Sequence, residues 1–233
     1  MKAIYFKEMR QYFHSVIGYV FLAIFVLINS YYFFLQNLLN RSGDITDYFQ
    51  STITIMMFLM PMLTMRSFSE EKKQRTDMLL LTMPIRREHI VLGKFFAAET
   101  VFLLGLSVTL IFPVILAFCG SAQLWITVGN YVGIILLMSV FIAVGIFISA
   151  LTENQIVSAI VTYVIIFAMW YSYGLGSTIQ NQAVLSLLNS LSLMGTYHEI
   201  VMGILNPAGI AMKVCMIGVF LFLTVVAVGK KRG

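Results

Sequence analysis

Long apolar stretches separated by short polar segments dominate the chain. Six of these stretches approach or exceed the roughly 20 apolar residues that a helix needs to cross the hydrocarbon core of a bilayer. The pattern therefore predicts an all-α integral membrane protein with six transmembrane helices. The predicted spans cover residues 16–35, 48–65, 95–118, 124–151, 155–175 and 208–228.

A short amphipathic helix is predicted before the first span, within residues 1–15. Such a helix lies along the membrane surface. The next apolar run is expected to be a span and not a cleaved signal, because residues 18–35 are long for a signal and no small-x-small cleavage site follows. The apolar stripe of the helix contains Tyr5, Phe6, Met9, Tyr12 and Phe13, and its polar side contains Lys7, Glu8, Arg10 and Gln11.

The composition agrees with a single membrane domain over residues 1–233. Hydrophobic residues make up 60% of the chain, charged residues make up 11%, and the mean hydropathy is +0.91. Soluble domains have about 45–50% apolar and about 25% charged residues. The cysteines, Cys119 and Cys215, lie in apolar sequence and are expected to be small buried residues, not a disulfide.

Basic residues predict the orientation of the spans. With both termini in the cytoplasm, thirteen of the fifteen Lys and Arg residues fall on the cytoplasmic side, and only Arg41 and Lys213 fall elsewhere. This distribution follows the excess of positive charge in cytoplasmic loops, so the net charge of +5 reflects topology and predicts no nucleic-acid partner. The expected location is a bacterial cytoplasmic membrane.

Three segments are then external. Residues 36–47 form a polar loop, and residues 119–123 form a tight turn. Residues 176–207 are only mildly hydrophobic, and we expect short re-entrant or interfacial helices there.

A charged cytoplasmic segment over residues 66–94 interrupts the apolar chain. Thr76 and Asp77 are good N-cap residues for a short helix over residues 78–83. Pro84 ends that helix because proline lacks an N–H and disfavours helix at the preceding residue. The short helix either folds back onto the membrane or the N-terminal helix, or docks a soluble partner through its apolar residues; the residues alone favour neither.

Two enzyme interpretations find little support. EExxxR at 70–75 matches a motif of CAAX-type membrane proteases, but His14, His89 and His198 lie outside the membrane and outside that family's histidine contexts. His198-Glu199 lacks the second histidine of HExxH, and the sequence contains no GxxxxGK[ST] loop for ATP.

Four blocks, spread over most of the chain, form a recognisable pattern. They are KEMRQYF (7–13) with IGYV (17–20); EE (70–71) with TDMLLLTMP (76–84) and IVLGK (90–94); SALTENQIV (149–157); and Gly203 with the basic C-terminus. The third block is the most specific. Together they resemble the six-helix permease subunits of ABC-2 type transporters, in the branch of gliding-motility and nitrous-oxide-reductase accessory permeases.

The resemblance implies a coupling helix that docks ABC ATPase subunits. Many relatives have Gly-Thr-x-Glu where this chain has RTDM at 75–78, so Asp77 would supply the acidic group one position earlier. The implied docking residues are Glu70, Glu71, Thr76, Asp77, Met78, Leu79, Leu80, Leu81 and Pro84, with a second contact at Thr152, Glu153, Asn154 and Gln155.

The resemblance also implies the assembly. Two ATPase subunits would hold the ATP and magnesium, a second identical or paralogous permease would complete the membrane part, and this chain would have no cofactor or catalytic site. The leading hypothesis is an exporter subunit for an amphipathic, peptide or lipid-like substrate. The alternative is a non-transporting scaffold or assembly factor that docks a cytoplasmic ATPase.

Several polar residues lie within the predicted spans. Glu99 and Lys213 are near span ends, where we expect them to snorkel toward the interface. Asn29 and Asn130 are expected to hydrogen-bond between helices. Pro61 and Pro113 are expected to kink the second and third spans.

Overall fold

The computed structural model describes residues 1–74, 86–118, 124–175, 193–195, 197 and 207–230. These residues are almost entirely helical and contain no strand. A π-helical segment, Phe34–Leu39, extends the second helix. The longer α-helices are α1 Lys2–His14, α2 Val16–Phe33, α3 Thr46–Thr64, α4 Arg66–Lys73, α5 Arg87–Thr109, α6 Ile111–Phe118, α7 Leu124–Leu151, α8 Gln155–Leu175 and α9 Pro207–Lys230.

The described residues contain five helical stretches long and apolar enough to cross a membrane. A sixth apolar helix, Gln155–Tyr171, is shorter over the part that has described side chains. The all-helical membrane architecture is therefore confirmed, and the number of six spans stays a prediction. The qualifying stretches are Val16–Leu39, Thr46–Lys73, Arg87–Phe118, Trp125–Leu151 and Pro207–Gly229.

Helix α7 lies at the centre of the molecule and packs against α3, α4, α5, α8 and α9. Side chains on several sides of it, including Ile134, Met138 and Phe141, are fully buried, as expected for a helix that is apolar all round. Helix α9 instead buries one side and exposes residues such as Phe222. Cys215 lies on the exposed side of α9, so the prediction that it is buried is wrong.

The third predicted span is interrupted at Leu110, between α5 and α6. Pro113 has no N–H to donate to the carbonyl of Thr109, four residues earlier. Tyr131 of α7 donates its hydroxyl to that carbonyl at 2.8 Å, so a neighbouring helix satisfies the acceptor that proline leaves free. The chain is thus interrupted three residues before Pro113, and Pro61 lies inside α3; the kinks predicted at the two prolines stay predictions.

Asn29 makes the interhelical hydrogen bonds that the sequence predicts. Its Oδ1 accepts from the hydroxyl of Tyr48 at 2.7 Å and from Thr52 at 3.1 Å, and both donors belong to α3. Asn130 Oδ1 accepts from the hydroxyl of Tyr197 at 3.4 Å. Asn29 therefore joins α2 to the next α-helix, and Asn130 joins α7 to a residue 67 positions later in the chain.

The prediction that Glu99 and Lys213 snorkel is wrong. Their exposed fractions are 8% and 1%, so both side chains are enclosed by protein. Glu99 Oε1 accepts a hydrogen bond from Ser139 of α7 at 2.9 Å. The side chain is held by a neighbouring helix because α5 turns this residue toward α7 and not toward the membrane surface.

Candidate functional site

Helix α1 packs along the start of α5 through Ile4 and Glu8, which share one buried helical face with Tyr12. This face differs from the predicted stripe, because Phe6 is exposed and Glu8 is buried. A carboxylate replaces an apolar residue on this face because α5 supplies its partner. Gly93 permits the close approach, since a Cβ there would lie 3.0 Å from Ile4 Cγ2.

Tyr12 connects α1 to the end of α3. Its hydroxyl donates to the carbonyl of Leu63 at 3.2 Å. Burial, and to a smaller extent the charge of Glu8, raise the pKa of Tyr12 well above its ordinary value, so the hydroxyl keeps its proton and remains a donor. The chain turns at Ser15 into α2, and Gly18 in the first turn of α2 permits the close approach, because a Cβ there would overlap the carbonyl oxygen of Tyr12.

Lys94, near the start of α5, is the centre of a buried group of charges. Its Nζ lies 2.8 Å from Glu8 Oε1 and 3.0 Å from Glu71 Oε2, and it donates to the carbonyl of Ser67 at 2.5 Å. The ring centroid of Phe68 lies 4.8 Å from the same nitrogen. The side chain is 1% exposed, and an ammonium at such a position requires this set of partners.

A second lysine completes the group. Lys7 Nζ lies 2.7 Å from Glu71 Oε1, and its side chain is half-exposed. Two lysines therefore face two glutamates, and their formal charges cancel. We call Lys7, Glu8, Glu71 and Lys94 the charged junction; it joins α1, α4 and α5.

The charged junction joins the two helices on either side of residues 75–85, the segment that is predicted to dock a partner. Glu71 precedes residues 75–85 and Lys94 follows them, and the two side chains meet at 3.0 Å. The Glu71–Lys94 ion pair therefore joins α4 to α5. Because Glu8 shares Lys94, α1 is joined to them as well.

Ser149, near the end of α7, caps α4 from outside. Its Oγ accepts from the backbone N–H of Phe68 at 2.9 Å and of Ser69 at 3.1 Å, and it donates to the carbonyl of Met65 at 3.1 Å. Met65, the residue before α4, contributes no side-chain cap of its own. Lys72 also donates to the carbonyl of Ala150, so α4 is fixed to the end of the central helix.

The second predicted contact lies immediately beyond this attachment, in the turn between α7 and α8. Thr152 Oγ1 donates to the carbonyl of Ile148 at 3.0 Å. Asn154 Oδ1 accepts from the N–H of Ile156 at 2.9 Å, which caps the start of α8. Glu153 and Asn154 are exposed, and Gln155 is partly exposed. The turn is thus a fixed feature on the same end of the molecule as the charged junction.

The two acidic residues that are predicted to dock the ATPase lie in different environments. Glu70 is partly exposed and faces Arg66 at 3.9 Å and Gln74 at 3.3 Å. Glu71 points inward, with both oxygens held by lysines. Thr76, Asp77, Met78, Leu79, Leu80, Leu81 and Pro84 lie outside the described residues, and docking through all these positions stays a prediction.

Four residues of the site were not predicted to act there: Lys7, Glu8, Lys94 and Ser149. Glu8 had a readable signal, since it falls four residues from both Ile4 and Tyr12 and so shares their buried face. Lys94 looks like an ordinary flanking charge of a membrane span. Its partners lie 86 and 23 residues earlier in the chain, and a local pattern contains no sign of them.

Comparison with known proteins gives one match. The model of a family described as ABC-2 family transporter protein matches residues 6–228. The matched range includes the whole charged junction, Ser149 and the turn after α7. No curated protein matches the chain.

Proposed function

The chain belongs to the ABC-2 transporter family, and from this premise we propose that it is the membrane subunit of an exporter driven by separate ATPase subunits. As a membrane permease of an ABC transporter, it associates with ABC ATPases. ATP and magnesium would be bound by two ATPase subunits, with no catalytic or cofactor site in this chain. The proposed branch is that of the gliding-motility and nitrous-oxide-reductase accessory permeases.

The proposed topology has six spans with both termini in the cytoplasm of a bacterium, in its cytoplasmic membrane. Two observations support it: α1 and the end of α9 lie at one end of the helix bundle, where Gly229 is next to Arg87, and most basic residues fall on that side. Helix α8 would be the fifth span, and the exposed side of α1 would face the membrane surface.

The charged junction is the single observation that carries the mechanism. ATPase closure would displace the predicted coupling helix within residues 75–85. The Glu71–Lys94 ion pair would transmit that displacement to α4, α5 and α1, and Ser149 would transmit it to α7. Close-packed helices transmit displacements because packed interfaces have discrete arrangements and do not deform continuously.

The proposed complex contains a second permease, identical or paralogous, because apolar side chains remain exposed along α2 and α9. Lipid and the second permease would share these surfaces. The substrate proposed is amphipathic, peptide or lipid-like, and its translocation path is not assigned to residues.

Substitution of Leu80 tests the docking helix. The chain is purified with the ABC ATPase that accompanies it, and bound ATPase is quantified after size-exclusion chromatography in detergent. Leu80→Asp should abolish co-purification, because a carboxylate cannot enter an apolar groove without losing its hydration. Leu80→Met, which keeps an apolar side chain of similar size, should retain it.

Both variants must keep wild-type helicity and a monodisperse elution profile. If Leu80→Asp still binds the ATPase fully, the docking helix is assigned incorrectly. If the wild type binds the ATPase but the reconstituted complex moves no substrate and shows no substrate-stimulated hydrolysis, the scaffold hypothesis replaces the exporter.

A further inference from the structure

Glu99 is a buried carboxyl group that the proposed mechanism does not use. It lies in α5, about 18 Å along the helix axis from Arg87. The stretch Arg87–Phe118, which contains it, is long and apolar enough to cross a membrane, and the side chain is enclosed by protein. An ionised side chain at such a position is costly unless a partner compensates its charge.

The hydroxyl of Ser139 on α7 lies between two oxygen atoms. Its Oγ is 2.9 Å from Glu99 Oε1 and 2.8 Å from the carbonyl oxygen of Ile135. A serine hydroxyl has one hydrogen to donate, so it cannot make a full hydrogen bond to both oxygens when Glu99 is ionised. Glu99 Oε2 is buried and has no partner among the described residues. An ionised Glu99 would therefore have one donor at most.

The charged groups of α1 that meet α5 are already paired at the charged junction. Lys94 lies five residues before Glu99 on α5, and its ammonium is shared by Glu8 and Glu71. Tyr5, the titratable residue of α1 that reaches farther along α5, donates its hydroxyl to Thr100 at 3.1 Å. None of these groups supplies a free positive charge to Glu99.

The other helices that pack extensively on α5 are α2, α7 and α9. Neither α2 nor α7 contains Asp, Glu, Lys, Arg or His, and the hydroxyl of Tyr131 on α7 bonds to Thr109. Helix α9 contributes the buried Lys213, which forms no ion pair with Glu99. Within the part of the chain that the structure describes, no cation pairs with this carboxyl group.

We propose that Glu99 is a proton-binding site, which keeps its proton at neutral pH and so holds α5 against α7. The neutral carboxyl group donates to Ser139 Oγ, and Ser139 donates its own hydrogen to the carbonyl of Ile135. Each hydrogen of this chain then has one acceptor, and the buried charge disappears. A proton also needs no cavity, in contrast to a larger ligand.

Loss of the proton would leave a buried carboxylate with a single donor. Ionisation should therefore favour arrangements in which water reaches the contact between α5 and α7. The proton site does not depend on the proposed function, because proton binding requires neither an ATPase nor a substrate. Failure of the docking experiment and failure of the experiments below are thus distinguishable.

Infrared spectroscopy tests the protonation state directly. The full chain is measured in a maltoside detergent, which contains no carbonyl group of its own. At neutral pH the wild type should show the carbonyl-stretching band of a protonated carboxylic acid, and Glu99→Gln should remove it. Glu88→Gln is the matched control on the same helix, because Glu88 is exposed, and it should keep the band.

The pH dependence of stability tests the same site independently. Stability falls with increasing pH wherever the folded state binds more protons than the unfolded state. The melting temperature of the wild type, measured relative to that of Glu99→Gln, should therefore fall between about pH 5 and about pH 8. At the acidic end the two proteins should melt alike, because glutamine has the size of the neutral acid and can also donate to Ser139.

Three results would overturn the proposal. The first is a wild-type spectrum without the band, or a band that persists in Glu99→Gln. The second is a difference in melting temperature that stays constant with pH, or that Glu88→Gln reproduces. The third is failure of Glu99→Gln to fold, because glutamine reproduces the neutral carboxyl group and should pack between α5 and α7.

Discussion

The two ends of the α2–α3 pair use buried polar groups in opposite ways. At the charged junction, Lys94 has three oxygen partners within 3.0 Å, and all three belong to the chain itself. In the π-helical segment at the other end, the side-chain oxygens of Gln36 and Asn37 are buried without a partner among the described residues. At the first end the buried charges pair with each other, whereas the second end contains buried acceptors without a partner among the described residues.

The difference follows from the cost of burying each group. An unpaired ammonium or carboxylate is far more costly to bury than an unpaired amide oxygen. The buried ammonium of Lys94 therefore needs its counter-ions close by. The buried amide oxygen of Asn37 is tolerated without a partner among the described residues.

The largest effect is expected for Lys94→Met. It leaves Glu8 and Glu71 buried beside an apolar side chain, and breaking a buried ion pair in this way costs about 3–5 kcal/mol of unfolding free energy. Thermal and denaturant unfolding in detergent would measure the loss. Lys73→Met is the matched control, because Lys73 is exposed on α4.

A second substitution, which removes one of the two buried carboxylates, distinguishes the electrostatic effect of Lys94→Met from its effect on packing. Adding Glu8→Gln to Lys94→Met should recover part of the lost stability, since one uncompensated carboxylate disappears. Equal stability of Lys94→Met and Lys73→Met would contradict the role of the charged junction.

A smaller effect, about 1–3 kcal/mol, is expected for Asn37→Leu at the other end. The change removes the donor for the carbonyls of Ser42 and Asp44 and should loosen the loop. Asn40→Leu introduces the same side chain at the exposed position that directly follows the π-helical segment, and it should change the melting temperature much less. If both variants melt alike, Asn37 does not hold the loop.

Ser149→Ala comes next, with an expected loss of about 0.5–2 kcal/mol, the range for a lost helix cap. Ser158→Ala is a control of the same chemistry, because the Ser158 hydroxyl is buried without a partner among the described residues. Its removal should leave the unfolding midpoint unchanged or raise it. A larger loss in Ser158→Ala than in Ser149→Ala would refute the external cap.

The smallest effect is expected for Lys7→Met. Lys7 is half-exposed, and ion pairs of this kind contribute about 0–1 kcal/mol, with screening by salt. Stability measured at low and high ionic strength should converge for wild type and variant as salt increases. A loss as large as that of Lys94→Met would mean that the charges act as one unit.

Local patterns predicted the helices well where apolar runs end in strong polar signals. Residues 124–151 and 155–175 form helices with the predicted bounds, because TEN at 152–154 separates two continuous apolar runs. The first span was predicted to end at 35, but the chain continues as a π-helical segment to Leu39. Hydrophobicity alone does not distinguish that geometry from an α-helix.

The candidate site was predictable only in part, because its contacts are formed by tertiary packing. The sequence predicted that Glu71 docks a partner, which stays a prediction, but it did not predict that Lys7 and Lys94 pair with this residue inside the protein. Glu99 was expected to reach the interface, and packing against α7 turned it inward. In both cases the side chain follows the nearest partner in space, which periodicity along one helix does not reveal.

The external cap on α4 has a consequence for biogenesis. Ser149 lies 81 residues after Phe68 in the chain, so the ribosome synthesises the capping residue long after it has synthesised α4. Until α7 is inserted, the N–H groups of Phe68 and Ser69 lack this acceptor, and the end of the second predicted span that continues into α4 is incompletely folded. We expect protease to cleave near α4 in nascent chains arrested before α7 and to spare it afterwards. Protection at both stages would show that α4 matures without the fourth span.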